Sequence, residues 1–269
     1  MSHFKEPPKK QLGQHFLHDR NVIERIVFAV NPKPGDVLVE IGPGQGAITF
    51  PLLKKHGALT VIEFDRDLIT PLSEAAHGLG DLTIVHKDVL KVDFGKLAGD
   101  SRIRLVGNLP YNISTPILFH VLEHAEGIVD MHFMLQKEVV ERMAAAPGSK
   151  VYGRLSVMLQ AVCEVVPLFD VPPAAFRPPP KVDSAVVRLL PRPADQIGIA
   201  DPALFERLVR DAFGQRRKTL RNAVQAICSA DQISAAGIRP ELRAEQLAVS
   251  EFIKLSNYLS ANPTAIDIP

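Results

Sequence analysis

Two short runs in this chain of 269 residues combine residue types that could do chemistry together: Glu40-Ile41-Gly42-Pro43-Gly44-Gln45-Gly46 and Asn108-Leu109-Pro110-Tyr111. The glycines of the first run let the backbone turn sharply and let a ligand approach with no Cβ in the way. Glu63 follows 21 positions after Gly42, where a carboxylate can accept both hydroxyl hydrogens of a ribose. So far a nicotinamide dinucleotide and S-adenosylmethionine fit equally well. Asp88 is a third acidic residue at a predicted strand end, able to accept from an adenine amino group. Glu40, Glu63 and Asp88 together suit a cationic sulfonium better than a pyrophosphate, so the expected cofactor is S-adenosylmethionine.

The second run addresses an acceptor. The amino nitrogen of adenine is a poor nucleophile, because its lone pair is delocalised into the ring. Two acceptors on its N–H groups would polarise it and align it for attack. Asn108 supplies a side-chain carbonyl. Pro110 has no N–H of its own, and carbonyls near Leu109 are expected to be open. Tyr111 offers a flat face on which an extruded base can stack. A neutral leaving group requires no strong general base.

These residues need a scaffold that gathers strand ends. Val37–Ile41, Leu59–Glu63, Leu82–Val85, Ile103–Val106 and Met131–Leu135 read as strands. Helical patterns over Ala47–Lys55, Asp67–Ala76 and Thr115–Leu122, and from near Lys137, alternate with them. The alternation predicts an α/β fold, with a parallel sheet covered on both faces. Leu155–Val162 reads as helix, and Val165–Phe169 and Val182–Leu190 as further extended segments around two proline clusters. From residue 201 to 262 helical spacing dominates, giving a division into 1–193 and 194–269.

Cys163 and Cys228 have no metal-binding spacing and are expected to be reduced and buried. His86, His120, His124 and His132 show no metal spacing either, so no metal is expected. No apolar run reaches the length of a membrane span, which gives a cytoplasmic expectation. The net charge is only +1, yet Arg207, Arg210, Arg216, Arg217, Lys218 and Arg221 face only Glu206 and Asp211 between Leu204 and Ala223. That segment is a local basic feature of an otherwise slightly acidic chain.

The joint pattern resembles the ribosomal RNA adenine dimethyltransferases, and within them the KsgA/RsmA branch that acts on small-subunit rRNA. The resemblance runs through Gly13-Gln14-His15-Phe16-Leu17, Glu40 to Gly44, Val61-Ile62-Glu63 and Gly107 to Pro116. It continues through Met134 to Val139, Tyr152 to Ser156, Phe176 to Ser184 and Gln215 to Asn222. It implies a seven-stranded, Rossmann-like methyltransferase sheet with an antiparallel final hairpin and a small all-helical C-terminal domain that docks rRNA. It also implies dimethylation of two adjacent adenosines near the 3′ end of 16S rRNA in an immature 30S particle, by a monomer that contributes to small-subunit biogenesis. By position, His15, Leu17, Gly42, Glu63, Asp88 and Asn108 would hold the donor. Asn108, Leu109, Pro110, Tyr111 and Phe176 would serve catalysis, with Tyr111 and Phe176 sandwiching the adenine. Arg216, Arg217, Lys218 and Arg221 would contact RNA phosphates. His15 departs from the family, which often has Asn there; either side chain can donate a hydrogen bond.

Three alternatives are weighed against this reading. One is a 23S rRNA adenine methyltransferase of the antibiotic-resistance type. Another is a non-catalytic ribosome-assembly factor. A dinucleotide-dependent oxidoreductase would use the glycine turn and Glu63 but leaves Asn108 to Tyr111 without a role.

Overall fold

The computed structural model describes Lys9, residues 13–215 and residues 217–262. Seven strands form its main sheet: β1 (Val37–Ile41), β2 (Ala58–Glu63), β3 (Asp81–His86), β4 (Ile103–Asn108), β5 (Ile128–Gln136), β6 (Cys163–Val171) and β7 (Ser184–Pro191). Their order across the sheet is β3-β2-β1-β4-β5-β7-β6. The first five run parallel, and β7 runs antiparallel to β5, with Phe133 opposite Val187. The chain winds outward from β1 to β3 and then returns to β4 on the other side of β1. The carboxyl ends of β1 and β4 therefore flank the crevice where this topology places ligands.

Local sequence explains the main elements. β1 and β4 are almost wholly buried, as continuous apolar runs in a two-sided sheet should be. Helix Arg66–Ala76 starts at Asp65, whose side chain accepts from the Asp67 N–H. The Ala47–Lys55 pattern forms a helix only from Thr49 to His56, because residues 44–48 are taken up in the glycine turn. Helix Arg20–Val30, which the sequence reading does not anticipate, is capped by Asp19 and buries Val22, Ile26 and Val30. Phe16–Leu17 and Phe176–Arg177 form a separate two-stranded pair, with Leu17 opposite Phe176.

Two compact units emerge, one of residues 1–140 and 166–191, the other of residues 141–165 and 192–269. The sequence reading divides the chain once, at 193/194. Packing instead assigns residues 141–165 to the helical unit, because Tyr152, Val157 and Ala161 sit in its core with Phe205, Leu208 and Phe252. The Tyr152 hydroxyl donates to the Leu247 carbonyl at 2.9 Å, which satisfies its one polar atom in that core. Helices Pro202–Gly214 and Val249–Ala261 supply much of the remaining apolar surface.

At the amino ends of β4 and β5 the sheet unit holds a buried charge cluster. Arg104 is 8 % exposed and forks onto Asp130 at 2.8 and 2.9 Å. It also reaches Asp36 and the Val30 carbonyl, both at 2.7 Å, and Arg188 completes the set at 2.9 Å from Asp130.

Candidate active site at the strand ends

A cavity of about 300 Å³ opens at the carboxyl ends of β1, β2 and β4. Its wall includes His15, Leu17, Gly42, Glu63, Asp88, Asn108, Leu109, Pro110 and Tyr111, so nine of the residues singled out by sequence are brought together. The volume lies at the lower end of the range for small-molecule sites.

The glycine turn shapes one wall. Gly42, Gly44 and Gly46 all have positive φ. A Cβ on Gly44 would come within 3.1 Å of the Phe16 ring. Gly107, at the end of β4, is equally constrained: a Cβ there would lie 2.6 Å from the Ile41 carbonyl. These positions allow β1 and β4 to approach closely and leave the space between their ends to a ligand.

The carboxylates differ in their surroundings. Glu40 is buried, and burial pushes its pKa up to about 8 despite a 2.6 Å hydrogen bond from the Thr49 hydroxyl. Burial therefore favours its protonated form near neutrality in the free protein. Glu63 is 6 % exposed; burial raises its pKa, opposed by hydrogen bonds from the backbone amides of Asp65, Gly44 and Phe64. The Asp65 N–H lies 2.7 Å from Oε1. Asp88 lines the cavity while its Oδ1 accepts from the Leu90 N–H at 3.1 Å, so it also caps the turn Val89–Lys91. A cavity of this size with a buried carboxylate, a protonated neighbour and glycine-cleared walls fits an adenosine carrying a cationic group.

On the opposite wall, Asn108 donates through Nδ2 to the His15 carbonyl at 3.2 Å, which leaves its side-chain oxygen to accept. The Pro110 carbonyl is engaged by the Ile113 N–H and the Tyr111 carbonyl by the Ser114 hydroxyl, both at 3.2 Å. No described residue engages the Leu109 carbonyl in that turn. The Tyr111 hydroxyl is 2.6 Å from the Ser184 hydroxyl, which fixes the ring. His15 stacks on that ring at 5.6 Å between centroids and 25° between planes, and its Nδ1 lies 2.8 Å from the Pro178 carbonyl.

Phe176 is placed elsewhere. It is 2 % exposed, sits in the hydrophobic core with Leu17, Val171 and Ala175, and is not part of the cavity wall. Lys9, Gln14 and Asp65 form a support that sequence reasoning missed. Lys9 bridges Asp65 and Asp67 at 2.6 and 2.5 Å, and Gln14 donates to Asp65 at 2.8 Å. This ties the segment before His15 to the turn after Glu63. Only the neighbourhood of Gly13 to Leu17 in the quoted pattern hints at it.

In the helical unit, Arg217, Lys218 and Arg221 are exposed, on the connection after helix Pro202–Gly214 and at the short helix Leu220–Ala223. Arg216 lies outside the described residues. No helix among the described residues is long and apolar enough to cross a membrane.

With this geometry in place, comparisons narrow the chemistry. The sequence pattern of the family described as ribosomal RNA adenine dimethylase matches residues 6–261. The chain is 69 % identical over 256 residues to ribosomal RNA small subunit methyltransferase A of Xanthomonas campestris pv. campestris (strain B100), covering 95 % of this chain and 98 % of that protein. Among solved structures it is similar to a dimethyladenosine transferase from Plasmodium falciparum, with a TM-score of 0.80, 26 % identity, and coverage of 92 % and 98 % of the two chains. The 23S rRNA methyltransferase ErmE is also similar, with a TM-score of 0.71, 25 % identity, and coverage of 91 % and 99 %.

Proposed function

This chain belongs to the ribosomal RNA adenine dimethylase family, an enzyme that uses S-adenosylmethionine to methylate adenine in rRNA, and we propose that its substrate is the small-subunit rRNA. The target within it is the pair of adjacent adenosines near the 3′ end of 16S rRNA, presented by an immature 30S particle in the cytoplasm to a monomeric enzyme. The observation that carries the reading is the meeting of Glu63, Asp88, Asn108 and Tyr111 around one cavity at the switch in strand order. The 69 % identity to a small-subunit methyltransferase favours this substrate over 23S rRNA.

When bound, S-adenosylmethionine supplies an electrophilic methyl group on a sulfonium. Glu63 would hold the ribose hydroxyls, Asp88 the adenine amino group of the donor, and His15, Leu17 and Gly42 the rest of the cavity wall. The Asn108 side-chain oxygen and the Leu109 carbonyl accept from the N–H groups of the target amine, which raises electron density on its nitrogen and orients its lone pair. Pro110 keeps the turn free of a competing N–H. The ammonium formed on methyl transfer is acidic and releases its proton to water. Tyr111 stacks the extruded base on one side. Phe176 forms the other side of that sandwich only if its ring leaves its present seat beside Leu17. Arg216, Arg217, Lys218 and Arg221 contact phosphates and position the particle without reading sequence.

The experiment is transfer of labelled methyl groups to undermethylated 30S particles and, in parallel, to 23S rRNA. Digestion of the 30S product should yield N6,N6-dimethyladenosine. Label appearing only on 23S rRNA reassigns the substrate. Particle maturation that proceeds with Glu63→Ala, which lacks transfer, separates an assembly role from catalysis.

A further inference from the structure

From the far end of the helix that follows the substrate loop, we infer a second, unassigned site: His120, Glu123 and His124 together bind a borderline divalent cation of the zinc class. The sequence reading finds no metal spacing in these histidines and expects no metal, so this inference departs from it. The structure brings one ligand atom from each of the three residues within 4.8 Å of the others, at the C-terminal end of helix Ser114–Leu122. A tetrahedral zinc ion with bonds of about 2.0–2.1 Å needs donor atoms about 3.3 Å apart. His120 Nδ1 and a Glu123 carboxylate oxygen are already 3.5 Å apart. The Glu123 side chain is 70 % exposed and can follow an ion, and the remaining gap to His124 closes by rotation of that half-buried imidazole.

Three further features favour a cation over a chance gathering. His120 uses its other ring nitrogen on the Val92 carbonyl, at 2.8 Å. Donation from Nε2 to that carbonyl turns Nδ1 toward Glu123, which is how metal-binding imidazoles are usually oriented. Next, the two imidazoles sit edge to face at 5.4 Å between centroids, and both pack on buried Phe94, at 5.7 and 5.8 Å. Phe94 thus holds the two rings beside one another before any ion arrives. Finally, the site lies at the negative end of a nine-residue helix, whose last carbonyls favour a cation. Two imidazoles and one carboxylate are a donor set for zinc or its neighbours rather than for magnesium or calcium. Water would complete the coordination. The ion would clamp the end of the helix whose start carries the Asn108–Tyr111 loop, and through His120 join it to the Val92–Phe94 segment.

Tag-free protein stripped with a chelator and titrated with zinc chloride should take up one equivalent and melt at a higher temperature. Cobalt(II) at the same site should give the visible absorption of a tetrahedral N/O complex. Glu123→Ala and His124→Ala should each weaken uptake by at least about tenfold, since even groups that only orient a ligand are worth about 10–100-fold. Glu123 is exposed, so its replacement leaves the fold intact and keeps the test decisive if His124→Ala misfolds. No zinc uptake by the wild-type chain overturns the inference. So does uptake unchanged by Glu123→Ala.

Discussion

The two ends of the central strands treat buried charge in opposite ways. At their amino ends, buried Asp130 and half-buried Asp36 are each paired with a guanidinium, from Arg104 and Arg188, and the pKa values of Asp36 and Asp130 lie below the ordinary range. At the carboxyl ends, Glu40 and Glu63 are as deeply buried, but no basic side chain in the described residues pairs with either, and burial drives both upward. Burying a carboxylate without a cation is costly, and on these adjacent strands the cost appears as acids whose pKa values rise instead of acids that are paired. The difference teaches that one end holds its acids with paired cations in the free protein, whereas the other keeps unpaired acids that a positively charged ligand would complement.

The largest expected effect breaks the completed end. Asp130→Ala leaves Arg104 buried with half its partners gone and should cost about 3–5 kcal/mol, read from the denaturant midpoint. Replacing Arg104 and Asp130 together with apolar side chains should cost less than Asp130→Ala alone. A small loss for Asp130→Ala would mean that Asp36 and water already satisfy Arg104, and the contrast between the ends would weaken.

Breaking the open end should have the reverse signature. Glu63→Ala removes a carboxyl expected to take two ribose hydroxyls, so S-adenosylmethionine affinity should fall by about 3 kcal/mol, on the order of 100-fold. Stability of the free protein should change far less than with Asp130→Ala, because no cation is stranded. Calorimetric titration beside a urea melt measures both. Retained affinity would move the ribose away from Glu63.

Glu40 sharpens the contrast through pH. Its pKa rises from 4.5 unfolded to about 8 folded, so between those values the native state holds a proton that the unfolded state has lost. Stability must then fall as pH rises through that window. Buried His132 acts with the opposite sign. Burial lowers its folded value to about 4, so it makes stability rise with pH, but only up to about 6.5. Between pH 6.5 and 8 Glu40 acts without it, at up to about 1.4 kcal/mol per pH unit and about 2 kcal/mol in all. Glu40→Gln should flatten that slope in melts of the free protein. If the ligand supplies the missing positive charge, binding should also expel the Glu40 proton, seen as a dependence of the binding heat on buffer ionisation. An unchanged slope in the variant would place the titration elsewhere.

The open end was also the more legible in sequence. Glycine spacing, acids at strand ends and the Asn-Leu-Pro-Tyr run are local signals, and α/β alternation told how the strands would gather them. The closed end joins Asp36, Arg104, Asp130 and Arg188 from four separate segments, and nothing local marks any of them. The same reason hid the Lys9–Asp65–Gln14 strap and the tautomer-setting bond from His120 to Val92, both long-range contacts. The division of the chain depends on packing of a different kind. Helical spacing in Leu155–Val162 identifies a helix but not the core it joins, and Val157 and Ala161 pack with Phe205 and Phe252.

Phe176 tests how far position in a pattern can be trusted over packing. Family resemblance makes it a wall of the adenine site, yet it lies in the core across from Leu17 and does not line the cavity. His15 stacks on one face of the Tyr111 ring, so a base taking that same face would have to displace it. Stacking on an aromatic ring is worth about 1–3 kcal/mol per base. Tyr111→Leu should therefore lower methyl transfer to 30S particles by about tenfold with unchanged donor affinity, and Phe176→Leu should do the same if the ring moves to the base. Phe176→Leu that retains full transfer and loses only thermal stability would confine Phe176 to the core. His15 would then be the second ring of the sandwich, and His15→Asn, which restores the residue common in the family, should separate stacking from hydrogen bonding at that position.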